Sequence, residues 1–440
     1  MKSARQTAFE ALLKIHRDNA YSNIVLDNAL LQTPLSQKDA ALSVALVYGV
    51  IERMITLDYN LQIYLTKPIK KLRPEVLVAL RLGAYQLLFT DKIPPSAAIN
   101  ESVKIVKANK CSFASGLVNA VLRKVSINGL KLPDKANNFV NYLSVLYSCP
   151  EWLVELWCKS YGEKNAIEIM SSSFGNVPTF LRVNTLKTNT SELIEMLKSE
   201  GVEASECQEV ENAVKVSKIG NIEQLDSFRK GYFHVQDISS QLCCKSLGVK
   251  NNETVLDMCS APGGKAFTLA QIMNNTGKVF AFDVYSSRVN LIKEGVKRLG
   301  LTNIIPLVSD ATAYNSDIEI SDKVLCDVPC SGLGIIRKKP EIRYKSLLDI
   351  DKLPNLQYLI LCTSTRYLKK GGLLIYSTCT LNPKENEDVC NRFLADNPSF
   401  KSVKVLENVS KLNTESDYVT LSPHINNSDG FFIAAFSETE

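Results

Sequence analysis

The chain has 440 residues, of which 45% are hydrophobic and 22% charged; this excludes a disordered or fibrous protein and allows two or three folded domains. Twelve scattered cysteines without a CxxC pair, and only His16, His234 and His424 as histidines, argue against a disulfide framework or a zinc site, so no metal is expected. The net charge of +5 is uneven: residues 1–150 carry 19 lysines and arginines against 10 acidic residues, a balance of +9, while the remainder carries 32 against 36, a balance of −4.

A basic front beside a near-neutral remainder suggests a polyanionic partner, most simply nucleic acid. The longest apolar stretch near the start, 40–51, is too short to span a bilayer, and no apolar signal segment follows residues 1–10. A cytoplasmic protein without a membrane partner is expected.

Residues 1–147 read as helices: TAFEALLKI, VALVYGVIERMITLDYNLQIYL, EVLVALRLGAYQLLF, AINESVKIVKA and SGLVNAVLRKV all space apolar residues at i, i+3 and i+4. Prolines at 34, 68, 74, 94–95 and 133 break them, with Asp39, Ser96 and Ser115 as expected caps. Lys67, Lys70, Lys71 and Arg73 surround a proline corner that reads as a phosphate-contacting loop, and Lys104, Lys107, Lys110, Arg123 and Lys124 extend the basic surface. Residues 148–236 continue as two helical pieces and then a small α+β segment. There TFLRVN, AVKVS and YFHVQD are strand-like and SELIEMLKSEG is helical. This segment resembles a short RNA-binding αβ sandwich, although no aromatic RNP motif is present.

Residues 237–440 read as an α/β domain. Asp237 is expected to cap the helix ISSQLCCKSLG, and TVLDMCSAPGGKAFTLA follows as strand, Pro-Gly-Gly turn and helix. That order opens a nucleotide-binding βαβ unit, whose glycines let backbone approach a ligand and whose helix offers free N–H groups. It is neither a P-loop, since Ala266 follows Lys265, nor a GxGxxG fingerprint. The spacing downstream supports a ligand site: strand-like runs end in Asp257, Asp283, Asp310 and Asp327, and Asp283 lies 20 residues past Gly263, near the distance at which an acidic residue reaches a ribose. A nucleoside-bearing cofactor is expected. The tail, DYVTLSP and GFFIAAF, reads as an antiparallel hairpin at the sheet edge.

Two cysteines stand apart from the rest. Cys330 lies in a Pro-Cys-Ser-Gly loop just past Asp327, and Cys379 just past the next strand. Asn382, Pro383 and Glu385 then fit a helix cap, first-turn proline and N3 partner, and a helix amino end there would favour a Cys379 thiolate. Cys243, Cys244, Cys362 and Cys390 fall on amphipathic helices, and Cys326 within a strand, where a packing role is expected. A thiolate can add to carbon 6 of a pyrimidine, making carbon 5 nucleophilic toward an electrophilic methyl group. Asp327 is placed to hydrogen-bond the ring's N3 or amino group.

CSAPGGK, DVPCSGLGIIRKKPEIRY, STCTLNPKENE and DGFFIA closely resemble the RNA cytosine-C5 methyltransferases. The helical front, the FLRVN segment and the length resemble its 16S rRNA branch of Sun/Fmu type, with a NusB-like amino-terminal domain. The resemblance implies a helical NusB-like bundle, a small α+β (RRM-like) insert and a Rossmann-like methyltransferase domain. It further implies S-adenosyl-L-methionine as cofactor, 16S rRNA as partner and a monomeric enzyme. Cys379 would be the nucleophile and Cys330 would assist release of the methylated base. Cys259, Ser260, Ala261, Pro262, Gly263, Gly264 and Lys265 would line the cofactor site, Asp283 would hold the ribose, Asp310 would contact the adenine, and Asp327 would stand between cofactor and cytosine. Ser260 and Val328 depart from the usual alanines. A target base must be unstacked, so a loop or unfolded rRNA segment is expected as substrate. A tRNA-modifying relative and a non-catalytic RNA-binding assembly or antitermination factor are the alternatives; a nicotinamide-dependent oxidoreductase lacks GxGxxG and CxxC.

Overall fold

Apolar residues at helical spacing place a row of helices along the front of the chain. The computed structural model describes residues 2–18, 20–175, 178–217, 219–412 and 416–439. The helices are α1 (Ala4–Asp18), α2 (Ser22–Gln32), α3 (Gln37–Glu52), α4 (Met54–Gln62), α5 (Pro74–Phe89), α6 (Pro95–Ala108), α7 (Ser115–Asn128), α8 (Phe139–Tyr147) and α9 (Glu151–Ser171). Helix α5 forms the centre, packing on α1, α3, α4, α6 and α7, and is buried from Val76 through Ala84. The charge this buries, Arg81, is matched by Asp58 through two 2.7 Å hydrogen bonds.

Several local features depart from the sequence reading. The run around Arg53 is not one helix: α3 and α4 meet at 73°, where Arg53 stacks over Phe89 and Phe174 and Ser148 Oγ accepts the freed Ile55 N–H. Among the described residues, no single helix is long and apolar enough to cross a membrane. Ser36, not Asp39, caps α3; Asp39 donates its own N–H to Ser36 Oγ. Ser96 lies inside the first turn of α6, which Pro95 starts, and Ser115 is already helical. Within α9 the backbone leaves helical geometry at Gly162, between the two expected helical pieces.

This helical unit spans Met1–Phe174 and also takes in Ile336–Tyr344, so α9 stays with the bundle past residue 147. The annexed segment is tied by charge. Glu341 accepts from Ser22 N–H (3.1 Å) and Oγ (2.9 Å) at the start of α2, where four backbone donors lack helical partners. Fully buried Arg343 donates to the carbonyls of Glu52 (3.4 Å), Tyr147 (3.3 Å) and Ser173 (3.3 Å).

The second unit, Gly175–Ile335 with Lys345–Glu440, carries two sheets. The small one holds β1 (Thr179–Val183), β2 (Glu203–Glu206), β3 (Ala213–Ser217) and β4 (Phe233–Val235) in the order β2-β3-β1-β4, all antiparallel. Helix α10 (Thr190–Ser199) covers it with Leu193 and Leu197, against Leu181, Val183, Val214 and Phe233; α11 (Asp226–Arg229) follows. Strand β2 has no apolar alternation and lies at an edge, which is why sequence patterning misses it.

Asp237 caps α12 (Ile238–Ser246), as expected, by accepting the Ser239 N–H. The large sheet then builds from β5 (Thr254–Asp257), α13 (Gly264–Ile272), β6 (Lys278–Asp283), α14 (Ser286–Leu299), β7 (Ile304–Val308), β8 (Ser321–Asp327), α15 (Leu347–Ile350), α16 (Leu353–Thr365), β9 (Leu368–Thr378), α17 (Glu387–Asp396), β10 (Phe400–Val403), β11 (Val419–Leu421), α18 (Pro423–Asn426) and β12 (Phe431–Glu438). Its order is β10-β12-β9-β8-β5-β6-β7, with β11 on β12. Strands β5 to β9 are parallel; β12 runs antiparallel to β9 and lies inside the sheet, not at its edge, because residues 431–436 are buried. The expected hairpin forms, β11 pairing antiparallel with β12 on its outer side, and β10, for which the sequence pattern gives no strand, shares that side with β11. The strand order reverses between β5 and β8, and open α/β sheets bind ligands at such a point, beyond the carboxyl ends of the strands.

Candidate active site

Four expected aspartates follow the carboxyl ends of β5, β6, β7 and β8, but their surroundings differ. Asp257 is buried, and neither of its carboxyl oxygens has a hydrogen-bond partner among the described residues. Burial first, and then the nearby Asp327 charge, push it up to about 7 against the pull of Lys265. Ser260 Oγ, next in the turn, is likewise buried without a partner. The turn itself is closed by Ser260 N–H to Phe282 O and Gly263 N–H to Ser260 O, both 2.7 Å. Gly263 takes φ +108°, a conformation that L side chains disfavour, and α13 begins at once.

Asp283 is buried at the end of β6, accepts the Tyr285 N–H at 3.0 Å and pairs with Arg288 at 3.0 Å. Arg288 also donates to Ala261 O at 3.1 Å and so joins the ribose candidate to the glycine turn. Sequence reading passed over Arg288, which looks like any exposed helical arginine. Asp310 is exposed and turned back on Thr312, accepting its N–H (2.9 Å) and hydroxyl (2.7 Å); these bonds hold its carboxyl below the usual range.

Asp327 stands at the centre. Its Oδ2 lies 2.6 Å from Lys265 Nζ, from the glycine turn, and its Oδ1 accepts from Ser377 Oγ at 2.9 Å, from the strand before Cys379. Burial disfavours the Lys265 charge, but the Asp327 carboxylate outweighs it and holds the ammonium above its usual range. The same ammonium sits 5.1 Å over the ring of Phe431, in the DGFFIA stretch. Lys265, expected only to line a cofactor site, thereby links three of the motifs.

Cys330 and Cys379 meet, with their sulfurs 3.2 Å apart and both half-buried. The hydrogen bond with Cys379, then burial, raise the Cys330 thiol well above its usual value, so Cys330 keeps its proton. The helix amino end expected near Cys379 is displaced: Asn382 caps a short 3₁₀ turn (Pro383–Glu385), and α17 starts only at Glu387. Glu385 turns inward and accepts from the Ser331 N–H in the Cys330 loop, the Asn382 side chain in the Cys379 loop and the Gln357 side chain on α16. The other cysteines behave as packing groups. Cys243, Cys244, Cys326 and Cys390 are buried, and burial pushes Cys243 and Cys326 to about 12; Cys362 is half-buried on α16. Cys259, half-buried beside the turn, is raised by burial as well.

On the helical unit the expected basic corner is exposed at Lys67, Lys70, Lys71 and Arg73, and Arg73 lies 5.9 Å over the exposed ring of Phe113.

A family model described as 16S rRNA methyltransferase RsmB/F matches residues 244–437, one described as NusB family matches 2–126, and a RsmF/B-like ferredoxin-like domain matches 149–223. The chain is 38% identical to a probable ribosomal RNA small subunit methyltransferase B of Bacillus subtilis, over 98% of both chains. It is 35% identical to the protein so described in Synechocystis sp., over 99% of both. A solved structure described as PH0851 is similar with a TM-score of 0.86 and 27% identity, covering 100% of this chain and 99% of that one.

Proposed function

Since the chain belongs to the RsmB/F family of rRNA methyltransferases, we propose that it methylates carbon 5 of a cytosine in 16S rRNA through a transient bond from Cys379. The observation that carries this reading is the pair of sulfurs 3.2 Å apart, beside an aspartate already bonded to the glycine turn.

S-adenosylmethionine fits the residues around that turn. The unpartnered carboxyl of Asp257 and hydroxyl of Ser260 suit a ligand carrying both a cation and hydrogen-bonding groups. Cys259 through Lys265 would line its pocket, Asp283 would take the ribose hydroxyls, and Asp310 would approach the adenine. When bound, the cofactor supplies an electrophilic methyl group.

The chain's own groups do the remainder. With its proton lost to solvent, Cys379 Sγ would give an electron pair to carbon 6 of cytosine and open the 5,6 double bond; carbon 5 would then be the nucleophile toward the methyl group that the cofactor supplies, the donor sulfur keeping the bonding pair. Paired with Lys265, the Asp327 carboxylate accepts from the exocyclic amino group and orients the ring. For release, the carbon 5 proton leaves to solvent, the double bond re-forms, and the Cys379–carbon 6 bond breaks with its electrons returning to sulfur. The Cys330 thiol donates a hydrogen bond to that departing sulfur. The basic corner on the helical unit would hold rRNA phosphates, with Phe113 as a stacking face. On this reading the protein works as a monomer in the cytoplasm, without a membrane partner.

Purified protein, 16S rRNA and methyl-labelled S-adenosylmethionine test the proposal. The label is expected in 5-methylcytidine on nucleoside digestion, and label confined to any other nucleoside overturns it.

A further inference from the structure

Behind the two cysteines lies a carboxylate that the proposed chemistry does not use. Glu385 is fully buried. It accepts from the Ser331 N–H at 2.8 Å, from Gln357 Nε2 at 3.0 Å and from Asn382 Nδ2 at 2.9 Å. The same Gln357 amide donates to Pro329 O at 2.9 Å. Backbone on both sides of Cys330 is thereby held to one carboxylate, and that carboxylate belongs to the loop that follows Cys379. Ser331 Oγ and Thr380 Oγ1, 2.7 Å apart, add a direct link between the residues next to each thiol.

A half-buried loop cysteine has several rotamers and a movable backbone, and catalysis is sensitive to sub-ångström placement. A carboxylate suits this position because it only accepts, and three N–H donors converge on it. We infer that Glu385 is a positioning residue: it fixes the Cys330 loop against the Cys379 loop and so sets the sulfur separation on which release of the methylated base depends. The inference rests on the reading of the two cysteines given above.

Three variants test it, each compared with wild type and Cys330→Ala for kcat, KM for RNA, and the share of enzyme in a slow-migrating covalent adduct on a denaturing gel. Glu385→Ala is expected to lower kcat between about tenfold and 10²-fold, with KM for RNA within about threefold, and to raise the adduct share toward that of Cys330→Ala. Gln357→Met removes one strand of the network, keeps the carboxylate, and is expected to shift the adduct share the same way by less; it decides the matter if Glu385→Ala does not fold. Glu385→Gln keeps an oxygen toward Ser331 and is expected to restore much of the turnover. Wild-type kcat and adduct share in the alanine and Gln357 variants, while Cys330→Ala accumulates adduct, would overturn the role of Glu385 alone. Absence of adduct in Cys330→Ala itself would bring down the cysteine reading, and this inference with it.

Discussion

Cys330 and Cys379 bring their sulfurs to 3.2 Å although 49 residues separate them along the chain. Parallel pairing explains the meeting: Asp327 on β8 is in register with Ser377 on β9, so the loops leaving both strands start side by side. Cys379→Ala is expected to reduce methyl transfer at least about 10³-fold, the scale of losing a covalent nucleophile. Cys330→Ala is expected to form the RNA adduct and stall. Denaturing gels with wild-type mobility and normal product for the second variant would reverse the two roles.

Lys265 and Asp327 form a pair that reaches from the glycine turn to the cysteine strand. Lys265→Met leaves the half-buried Asp327 charge without its cation and with the Ser377 hydroxyl still donating to it, and a loss of about 2 kcal/mol is expected. Urea unfolding measures it. Asp327→Asn should weaken turnover more than RNA binding, which separate measurements of kcat and KM will show.

Asp257 makes stability depend on pH. Its folded pKa of about 7 lies above the unfolded value of about 3.9, so the folded state holds the proton more tightly. Stability from this group is therefore greatest at low pH and falls as pH rises from about 4 through about 7. Buried His234 tilts the other way: burial and then Arg182 and Arg298 lower it to about 3, so its contribution is lost as pH falls below about 6.5. The difference between Asp257→Asn and wild type isolates the carboxyl. It should grow in favour of the variant between pH 4 and 7, by at most about 1.4 kcal/mol per pH unit. A constant difference across that range would refute the assignment.

Gly334 leaves no room for a side chain: a Cβ there would lie 1.9 Å from Gly430 O and 2.9 Å from Cys379 O. Gly334→Ala must push the Gly430 backbone aside and crowd the Cys379 carbonyl, and about 1–3 kcal/mol of destabilisation is expected together with a loss of turnover. Calorimetry and a methyl-transfer assay on the same preparation check both.

Arg343→Met is expected to destabilise the helical unit by about 2–3 kcal/mol, because the buried Ser173 carbonyl and the half-buried carbonyls of Glu52 and Tyr147 lose their donor. Thermal unfolding followed by circular dichroism would reveal it.

Elements with a strong periodic pattern were legible in the sequence. The parallel strands, the glycine turn, the Asp237 cap and the placement of both cysteines past neighbouring strands all follow from local pattern. What escaped was decided by distant partners. Arg53 ends α3 because two rings far along the chain stack on it, and nothing in its own neighbourhood interrupts the apolar run. Glu385 fits a capping box by spacing, yet its oxygens face Ser331 and Gln357, which no local rule brings near. Arg288 carries no signal of its own and gains its place from Asp283 at the end of the strand before its helix.

The excursion of Ile336–Tyr344 into the helical unit bears on how the protein can be dissected. A fragment beginning after Phe174 would still encode Arg343, now stripped of the carbonyls at Glu52, Tyr147 and Ser173, and Glu341 without Ser22. Neither a single proteolytic cut nor a simple truncation can yield both halves intact. A chimera that exchanges the front of the chain must import matching acceptors or replace this nine-residue graft as well.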